Sequence, residues 1–586
     1  MKDLWIAGIA RGHNAGVCLL KNGEIVFSIE EERLSRKKYD GGPYASMVKI
    51  LDYTDRLDYL VVAHTSGLNE SIRVDFSGDD VYTGLARKLG LIDRSYDGLD
   101  HPQVIDLSHM HHQLHVACAF YRSGFKEATG VVADGAGTFI PMNIGGDEIM
   151  GWETETIFNC DYENLQPIYK HIGTRGPHPG GTIDDKGCTT VVSDRAGITK
   201  TYEAVTQYCG FSAIEAGKTM GLFPYGRKNN EIPPLFEKEL TEYPFANRNL
   251  IVPTYPNAAL VNCQMYKYLK DNSAKDLTTL DNRRDMAYAV QTETQQELLD
   301  LILKGVSMTG KKNVVLSGGY ALNCVANYYY LQTLKEEGIN LYVEPISSDA
   351  GTAIGAALIT HQSIASEKTE YDRQESLYLG PIQPITQETL NETATKYNAT
   401  IESKEHSDVI DLITAKNIVA VFQGRSENGP RALGNRSLLF DPTIPDGKDF
   451  VNQVKRREYF RPFAGSILEE DVHEWFDLRG MDSSPSMMYA VNCKPGIEEK
   501  IPAIIHVDGT CRIQTVNREQ NPLYYDIIKT FKDKTGCPII FNTSFNLGGE
   551  PLVETLDDAL RTLANSDIEY LYLPEQELLL TVKNNK

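Results

Sequence analysis

Asn313-Val314-Val315-Leu316-Ser317-Gly318-Gly319-Tyr320-Ala321-Leu322-Asn323 is the stretch whose reading decides the fold. Asn313 to Leu316 read as a buried strand, and Ser317-Gly318-Gly319 as the glycine turn that follows it. Glycines there let backbone amides approach a nucleotide, and the N-terminus of a following helix favours an anion. Upstream, Asp285 to Gly305 carry a helical pattern. Downstream, Asp349-Ala350-Gly351-Thr352-Ala353-Ile354-Gly355-Ala356-Ala357 form a small-residue loop and helix. Together these units predict an α/β protein with a nucleotide wedged between two lobes, Gly318, Gly319 and Asn323 being candidate contacts.

The start of the chain fits that reading. Leu4 to Ala10 form a first strand, Val17-Cys18-Leu19-Leu20 a second, and Ile25 to Ile29 a third after a Lys21-Asn22-Gly23 turn, and Asn-Gly between apolar runs is a strong hairpin signal. The pattern recurs at Gly130-Val131-Val132-Ala133-Asp134, leading toward a turn at Gly145-Gly146. A polar loop after the first strand, followed by a returning strand, resembles the phosphate-gripping hairpins of the actin-like ATPase fold. In the loop, His13 stands where such a fold faces substrate, either to orient or deprotonate an acceptor or to bind a phosphate oxygen.

At 586 residues the chain holds at least two domains. Apolar periodicity lapses around residues 362 to 378, which divides the chain into a first domain over 1–365, a linker over 366–380 and a second α/β domain over 381–586. The second domain has strands at Ile418 to Phe422 and Pro538 to Asn542, and helices near Ser407 to Lys416 and Leu556 to Asn565. No apolar run approaches the roughly 18 to 20 residues of a membrane helix, the N-terminus lacks a signal-like h-region, and ten cysteines are scattered singly. A cytoplasmic protein with buried free thiols and no membrane partner is therefore expected. The net charge of −22 argues against a broadly cationic nucleic-acid surface.

His111 and His115 stand four residues apart, so a helix places both imidazoles on one face. Alone, the pair reads more readily as core or surface histidines bonded to backbone. Two acids in glycine loops, Asp134 and Asp349, supply what a divalent-metal set of two imidazoles and two carboxylates needs, with Fe(II), Mn(II) and Zn(II) all suited to it. His112 points elsewhere on the helix. Gly217-Lys218-Thr219 lacks the upstream glycine of a P-loop, Ser212 standing there, so Glu215 and Lys218 are read as ribose or phosphate contacts, or as a solvated helix start.

The second domain carries the richest segment, Gln423 to Leu438. Arg425, Arg431 and Arg436 recur every five or six residues among glycines, a spacing that predicts convergence on one multiply charged anion. Lys455, Arg461 and Arg512 follow, and Asn542-Thr543-Ser544-Phe545-Asn546 adds donors for a small planar group. Ser544 has no His and Asp partners that would make it a hydrolase nucleophile.

With these residues in place the chain resembles the O-carbamoyltransferase family of the nodulation-factor and tobramycin carbamoyltransferases. The likeness spans most of the chain: Glu30-Glu31-Glu32-Arg33, the His111/His115 pair, Val132-Ala133-Asp134-Gly135, Gly217 to Leu222, Ser317-Gly318-Gly319, Ser348-Asp349, Gly429-Pro430-Arg431-Ala432-Leu433-Gly434, Arg461-Pro462-Phe463-Ala464 and Asn542 to Asn546. The resemblance implies an actin-like (ASKHA) two-lobed N-terminal domain with the metal site, iron by family precedent, and a YrdC-like C-terminal domain. It implies that carbamoyl phosphate and ATP, with Mg, yield carbamoyl-AMP in the C-terminal domain, and that the carbamoyl group passes to an acceptor hydroxyl at the metal site. Arg425, Arg431, Lys455, Arg512 and Ser544 would hold carbamoyl phosphate, with His13, Lys455, Arg512 and Ser544 catalytic.

The expected acceptor is a small hydroxylated metabolite or sugar. A hydroxymethylated pyrimidine, as nucleotide or in DNA, is the other option, with Arg33, Arg36, Lys37, Lys38, Arg87 and Lys88 as phosphate contacts. Asn164 to Ile198, containing Arg175-Gly176-Pro177-His178, departs from the family pattern and is assigned to acceptor recognition. The acylphosphatase-like module and Cys-x-x-Cys fingers of a hydrogenase-maturation relative are not present. A nucleotide-binding regulatory protein of the actin-like fold without transfer activity is the alternative, against which the second anion site argues.

Overall fold

The computed structural model describes residues 3–65, 81–96, 101–144, 146–174, 181–237, 245–247, 280–365 and 368–583. Arg175 to Gly180, Gly145, and Ser366 and Glu367 of the expected linker lie outside them. The fold is mixed α/β, and the chain divides into two units: Met1–Gly12, Gly16–Glu24 and Ile50–Gln374 form one, and His13–Ala15, Ile25–Lys49 and Glu375–Lys586 the other.

The chain opens with β1 (Trp5–Ala10), β2 (Gly16–Lys21) and β3 (Glu24–Glu30). Asn22 and Gly23 join β2 to β3 at positive φ, 54° and 89°, the conformation an Asn-Gly hairpin turn requires. In the first unit β1 pairs antiparallel with β2 and parallel with β4 (Tyr59–Ala63), and β5 (Val104–Asp106) continues parallel to β4.

A larger sheet follows: β6 (Glu127–Ala133), β7 (Phe139–Ile144), β8 (Asp147–Asp161), β9 (Leu165–Thr174), β10 (Gly181–Asp185) and β11 (Cys188–Ser193). After a short ribbon of β12 (Phe236–Glu237) and β13 (Phe245–Ala246), β14 (Asn313–Ser317) and β15 (Asn340–Val343) complete it. Its order is β10-β11-β9-β8-β6-β14-β15, with β7 on β8. The parallel trio β6, β14 and β15 is apolar and mostly buried, so the loops leaving the carboxyl ends of β6 and β14 emerge together.

Two helices position what those loops carry. His111–Ser123 is buried almost throughout. Ala350–Ile364 is rich in glycine and alanine because it lies very close to its neighbours: a Cβ on Gly355 would sit 1.9 Å from the Leu114 carbonyl oxygen, and one on Gly8 of β1 would sit 2.0 Å from that of Ala353. Only glycine allows backbones so close.

The second unit is built on a ten-stranded sheet: β16 (Ala399–Ser403), β17 (Val419–Phe422), β18 (Arg436–Phe440), β19 (Ala464–Leu468), β20 (Phe476–Asp477), β21 (Ala490–Cys493), β22 (Thr510–Val516), β23 (Ile539–Ser544), β24 (Tyr570–Leu573) and β25 (Leu578–Val582). The order is β16-β25-β24-β17-β18-β23-β19-β22-β21-β20, mainly antiparallel, with β17/β24 and β19/β22 parallel. Residues 25–49 belong here through arginines that donate to backbone carbonyls. Arg33 bonds Glu427 O (3.2 Å) and Gly429 O (2.7 Å), and Arg36 bonds Leu552 O (2.6 Å) and Pro551 O (3.0 Å). Lys38 pairs with Glu32 at 2.7 Å. The basic cluster read above as a source of phosphate contacts is thus largely spent inside the fold.

Candidate functional site

His111 is the first residue of its helix and His115 the fifth, so the four-residue spacing brings both rings to one place. Their Nε2 atoms lie 3.2 Å apart. Asp134, just beyond β6, places Oδ2 3.6 Å from His111 Nε2, and Asp349, capping the Ala350 helix, places Oδ1 3.5 Å from both imidazole Nε2 atoms. All four donors fall within 4.8 Å of one another, and three of the four residues are buried.

Two of the four residues are held from behind. His111 N donates to Thr138 Oγ1 (3.1 Å), which donates to Ser108 O (3.0 Å). Gly319 N donates to Asp134 Oδ1 (3.0 Å). Gly318, at φ 90°, makes that approach possible, because a Cβ there would meet Ala133 O at 2.3 Å. The glycine turn quoted first therefore grips a carboxylate of the cluster. His112 bonds Thr156 Oγ1 through Nδ1 (2.8 Å), and burial, with His111 and His115 alongside, pushes its pKa down to about 4.

The donor set fits a divalent ion. Burial alone would lower the pKa of His111, but Asp134 and Asp349 override it and raise it to about 10, while Asp134 itself is held low by His111 despite its burial. The cluster thus demands positive charge between its carboxylates, and the paired Nε2 atoms suit ligation at roughly 2.0–2.1 Å.

The other first-unit candidates divide. Gly318 and Gly319 stand at the cluster. Asn323 is a buried helix cap, accepting from Ala326 N (3.1 Å) and donating to Gln291 Oε1 (3.0 Å). Glu215 and Lys218 form an ion pair with each other (2.8 Å), and Glu215 closes a capping box with Ser212. His13 is exposed in the turn between β1 and β2 and belongs to the second unit. One residue not singled out by spacing is Glu203: a Cβ on Gly135, next to Asp134, would lie 2.3 Å from its Oε1.

In the second unit, two of the three regularly spaced arginines, Arg425 and Arg436, are engaged by backbone carbonyls. Arg425 donates to Gly380 O (2.6 Å), Val26 O (2.7 Å) and Leu379 O (2.8 Å). The buried guanidinium of Arg436 lies over the Phe422 ring at 3.7 Å and donates to Gln423 O and Asn435 O. Both are occupied in bracing the loop, whose turn is further ordered by Glu427 Oε1 accepting from Leu433 N and Asn435 N. Arg431 is joined to Ala432, whose carbonyl accepts from Asn542 Nδ2 (3.1 Å).

The cations that do gather are Lys455, Arg457, Arg461 and Arg512. Lys455 Nζ bonds Ser544 O, Ser544 Oγ (3.4 Å) and Asn546 Oδ1 (3.2 Å). Burial, then Arg457 and Arg461, push its pKa well below the usual lysine range, and burial, Arg461 and Arg512 do the same to Arg457. Nε of Arg457 and of Arg512 is buried without a hydrogen-bond partner among the described residues. Of this group Arg461 meets Glu458 at 3.7 Å. Like charges held together around a buried lysine call for an anion.

Arg457, one of the basic residues crowded between Arg425 and Arg461 in the sequence, joins the group through local geometry. The helix Gly447–Val454 ends in a Schellman turn, Arg456 N to Gln453 O (3.0 Å) and Arg457 N to Asn452 O (2.9 Å), with Arg456 at φ 55° where glycine usually stands. Arg456 turns out to Asn565 O (3.0 Å). Lys455 and Arg457, on either side of it, turn in.

The chain thus carries a carboxylate-imidazole cluster on one unit and a cationic cluster on the other. Residues 80–358 match the family model for the carbamoyltransferase N-terminus and residues 410–579 that for the carbamoyltransferase C-terminus. The chain belongs to the carbamoyltransferase family. It is 31% identical to an uncharacterized protein of Synechocystis over 97% of this chain and 96% of that one. It is 29% identical to nodulation protein NolNO of Sinorhizobium fredii (95% and 78%) and 30% identical to nodulation protein NolO of Bradyrhizobium diazoefficiens (79% and 77%). Full-length HypF in its phosphate- and nucleotide-bound form aligns with 62% of this chain and 56% of its own at 15% identity and a TM-score of 0.37, below the level at which a fold is transferred.

Proposed function

We propose that the enzyme is an ATP-dependent O-carbamoyltransferase that, with water, converts carbamoyl phosphate and ATP to carbamoyl-AMP, inorganic phosphate and pyrophosphate at the Lys455 cluster and delivers the carbamoyl group to an acceptor hydroxyl at the His111 cluster, releasing AMP. The observation that carries this reading is the gathering of Arg457, Arg461 and Arg512 around Lys455, itself bonded to Ser544, since like charges so placed are stabilised by a multiply charged anion. On this reading the first unit is the actin-like domain and the second the YrdC-like one.

Lys455 and Arg512 bind the phosphate of carbamoyl phosphate, with Arg431, Arg457 and Arg461 neutralising charge around it. Ser544 and Asn546 orient the planar carbamoyl group through hydroxyl and amide donors. In the first unit the Gly318-Gly319 turn holds Asp134 through the Gly319 amide, and Glu203 stands beside the Asp134 loop to meet a ribose or acceptor hydroxyl. His111, His115, Asp134 and Asp349 would hold a divalent ion, of which Fe(II), Mn(II) and Zn(II) suit the donors, and it would supply Lewis-acid polarisation of a carbonyl. Mg accompanies ATP. The acceptor oxygen replaces AMP on the carbamoyl carbon and loses its proton to a nearby base.

A small hydroxylated metabolite or sugar is the favoured acceptor. A nucleic acid is disfavoured by the internal use of Arg33, Arg36 and Lys38 and by the charge of −22. No helix among the described residues is long and apolar enough to cross a membrane. Incubating the enzyme with labelled carbamoyl phosphate and ATP against free sugars, nucleotides and hydroxymethylated DNA tests the reading. Label on small hydroxyl compounds supports it, and label on DNA alone overturns the acceptor class. Pyrophosphate release independent of carbamoyl phosphate overturns the chemistry.

A further inference from the structure

His111 and His115 continue into a longer stripe. Cys118 and Arg122 follow at helical spacing, so His111, His115, Cys118 and Arg122 lie along one side of a single helix. Opposite them runs Glu344 to Gly351, and three rungs join the two. At the top, Asp349 meets His115 and His111. In the middle, a Cβ on Gly351 would find Ile346 O at 2.0 Å and Cys118 Sγ at 3.5 Å. At the bottom, Arg122 Nη1 donates to Glu344 Oε1 at 2.6 Å, both side chains being essentially out of solvent. The same carboxylate accepts from Ile346 N (2.9 Å) and Tyr342 Oη (3.1 Å), so it fixes the start of the loop that ends at Asp349.

Arg122 has a second attachment. Its Nη2 donates to Gln374 O (3.3 Å), and Gln374 N donates back to Arg122 O (3.0 Å). Gln374 is the last residue of the first unit before the chain enters the second. Next to it, a Cβ on Gly124 would lie 2.9 Å from Arg373 N, so the connector is seated directly on the end of the helix.

We propose that the Arg122–Glu344 ion pair is a positioning element of the metal centre, setting Asp349 against the His111/His115 face and coupling that arrangement to the connector at Gln374. The proposal rests on reading the His111 cluster as a metal site. A buried ion pair is a poor source of net stability but a rigid, directional one, and its removal leaves an unpaired charge. Partners behind a ligand commonly govern its affinity for metal by about 10- to 100-fold.

The test uses the full chain and Mn(II). Arg122→Lys, which keeps the charge but loses the two-pronged bond, and Glu344→Gln, which keeps the shape, are titrated calorimetrically beside the wild type and His115→Ala. Each clamp variant is expected to bind one Mn(II) at least about tenfold more weakly, at unchanged stoichiometry. Hydrogen exchange on the wild-type protein, which needs no variant to fold, should show Mn(II) slowing exchange at Ile346 and also at Gln374. Folded clamp variants with wild-type affinity, or Mn(II) protection confined to the ligands and absent from Gln374, overturn the proposal while leaving the metal site standing. Wild-type protein that takes up no Mn(II), or His115→Ala that binds like wild type, overturns the metal reading beneath it.

Discussion

His111 Nε2 and Asp349 Oδ1 stand 3.5 Å apart, although one begins a helix near the front of the first unit and the other caps a helix near its end. Their meeting depends on the glycine-lined contact between those helices at Leu114 and Gly355 and on the loop after β15. The carboxylate-imidazole cluster is therefore a property of tertiary packing as much as of the four residues that form it.

Asp349→Asn should lower divalent-metal affinity by more than about tenfold while leaving the fold intact, because the amide keeps the size of the carboxylate but not its charge. Metal content after dialysis against Fe(II) or Mn(II), measured with thermal unfolding of the same samples, checks it. Retention of a full equivalent of metal would remove Asp349 from the ligand set.

Gly355→Ala places a methyl carbon 1.9 Å from the Leu114 carbonyl oxygen, so the two helices must move apart. A stability loss of about 1–3 kcal/mol is expected from the overpacking, accompanied by weaker metal binding. Denaturant unfolding with and without metal measures both. Wild-type stability would show that the contact relaxes at no cost.

Lys455 predicts a pH dependence. Burial and its cationic neighbours depress its pKa in the folded state, so from that lowered value up to the ordinary lysine value, about 10.4, the unfolded chain binds the extra proton. Stability contributed by this group therefore rises with pH across that window. Phosphate, by restoring the charge on Lys455, should flatten the rise. Thermal unfolding in stepped pH with and without inorganic phosphate checks this, and Lys455→Met should remove both the slope and the phosphate effect.

Arg425 and Arg457 should separate cleanly. Arg425→Ala leaves the carbonyls of Val26, Leu379 and Gly380 short of a donor and is expected to cost about 1–3 kcal/mol of stability with little change in affinity for carbamoyl phosphate. Arg457→Ala relieves repulsion and should cost little stability, yet weaken that affinity by about tenfold or more. Calorimetric titration against unfolding curves distinguishes the two, and the reverse pattern would reassign both residues.

Much of this was legible in the sequence, for reasons that can be named. The Asn22-Gly23 turn, the His111/His115 spacing and the glycines after β14 are local signals, and local geometry honours them. The roles of Arg425 and Arg436 were not legible, since their partners are backbone carbonyls, which no residue type announces. Arg457 stands in a basic run that marks an anion site or a solvated face, but its inward placement was not legible because Arg456 holds a left-handed turn without glycine. The membership of residues 25–49 in the second unit was hidden because Arg33 and Arg36 read as surface charge when in fact they donate into the loops around Gly429 and Leu552.

Pyrophosphate release and carbamoyl transfer, followed in the same reaction for the wild type, His115→Ala and Lys455→Ala, bear most directly on the division of labour between the two clusters. His115→Ala should release pyrophosphate in a manner dependent on both ATP and carbamoyl phosphate while transferring no carbamoyl group, and Lys455→Ala should do neither while still binding metal. Loss of both activities in a folded His115→Ala enzyme, or undiminished pyrophosphate release by Lys455→Ala, would contradict it.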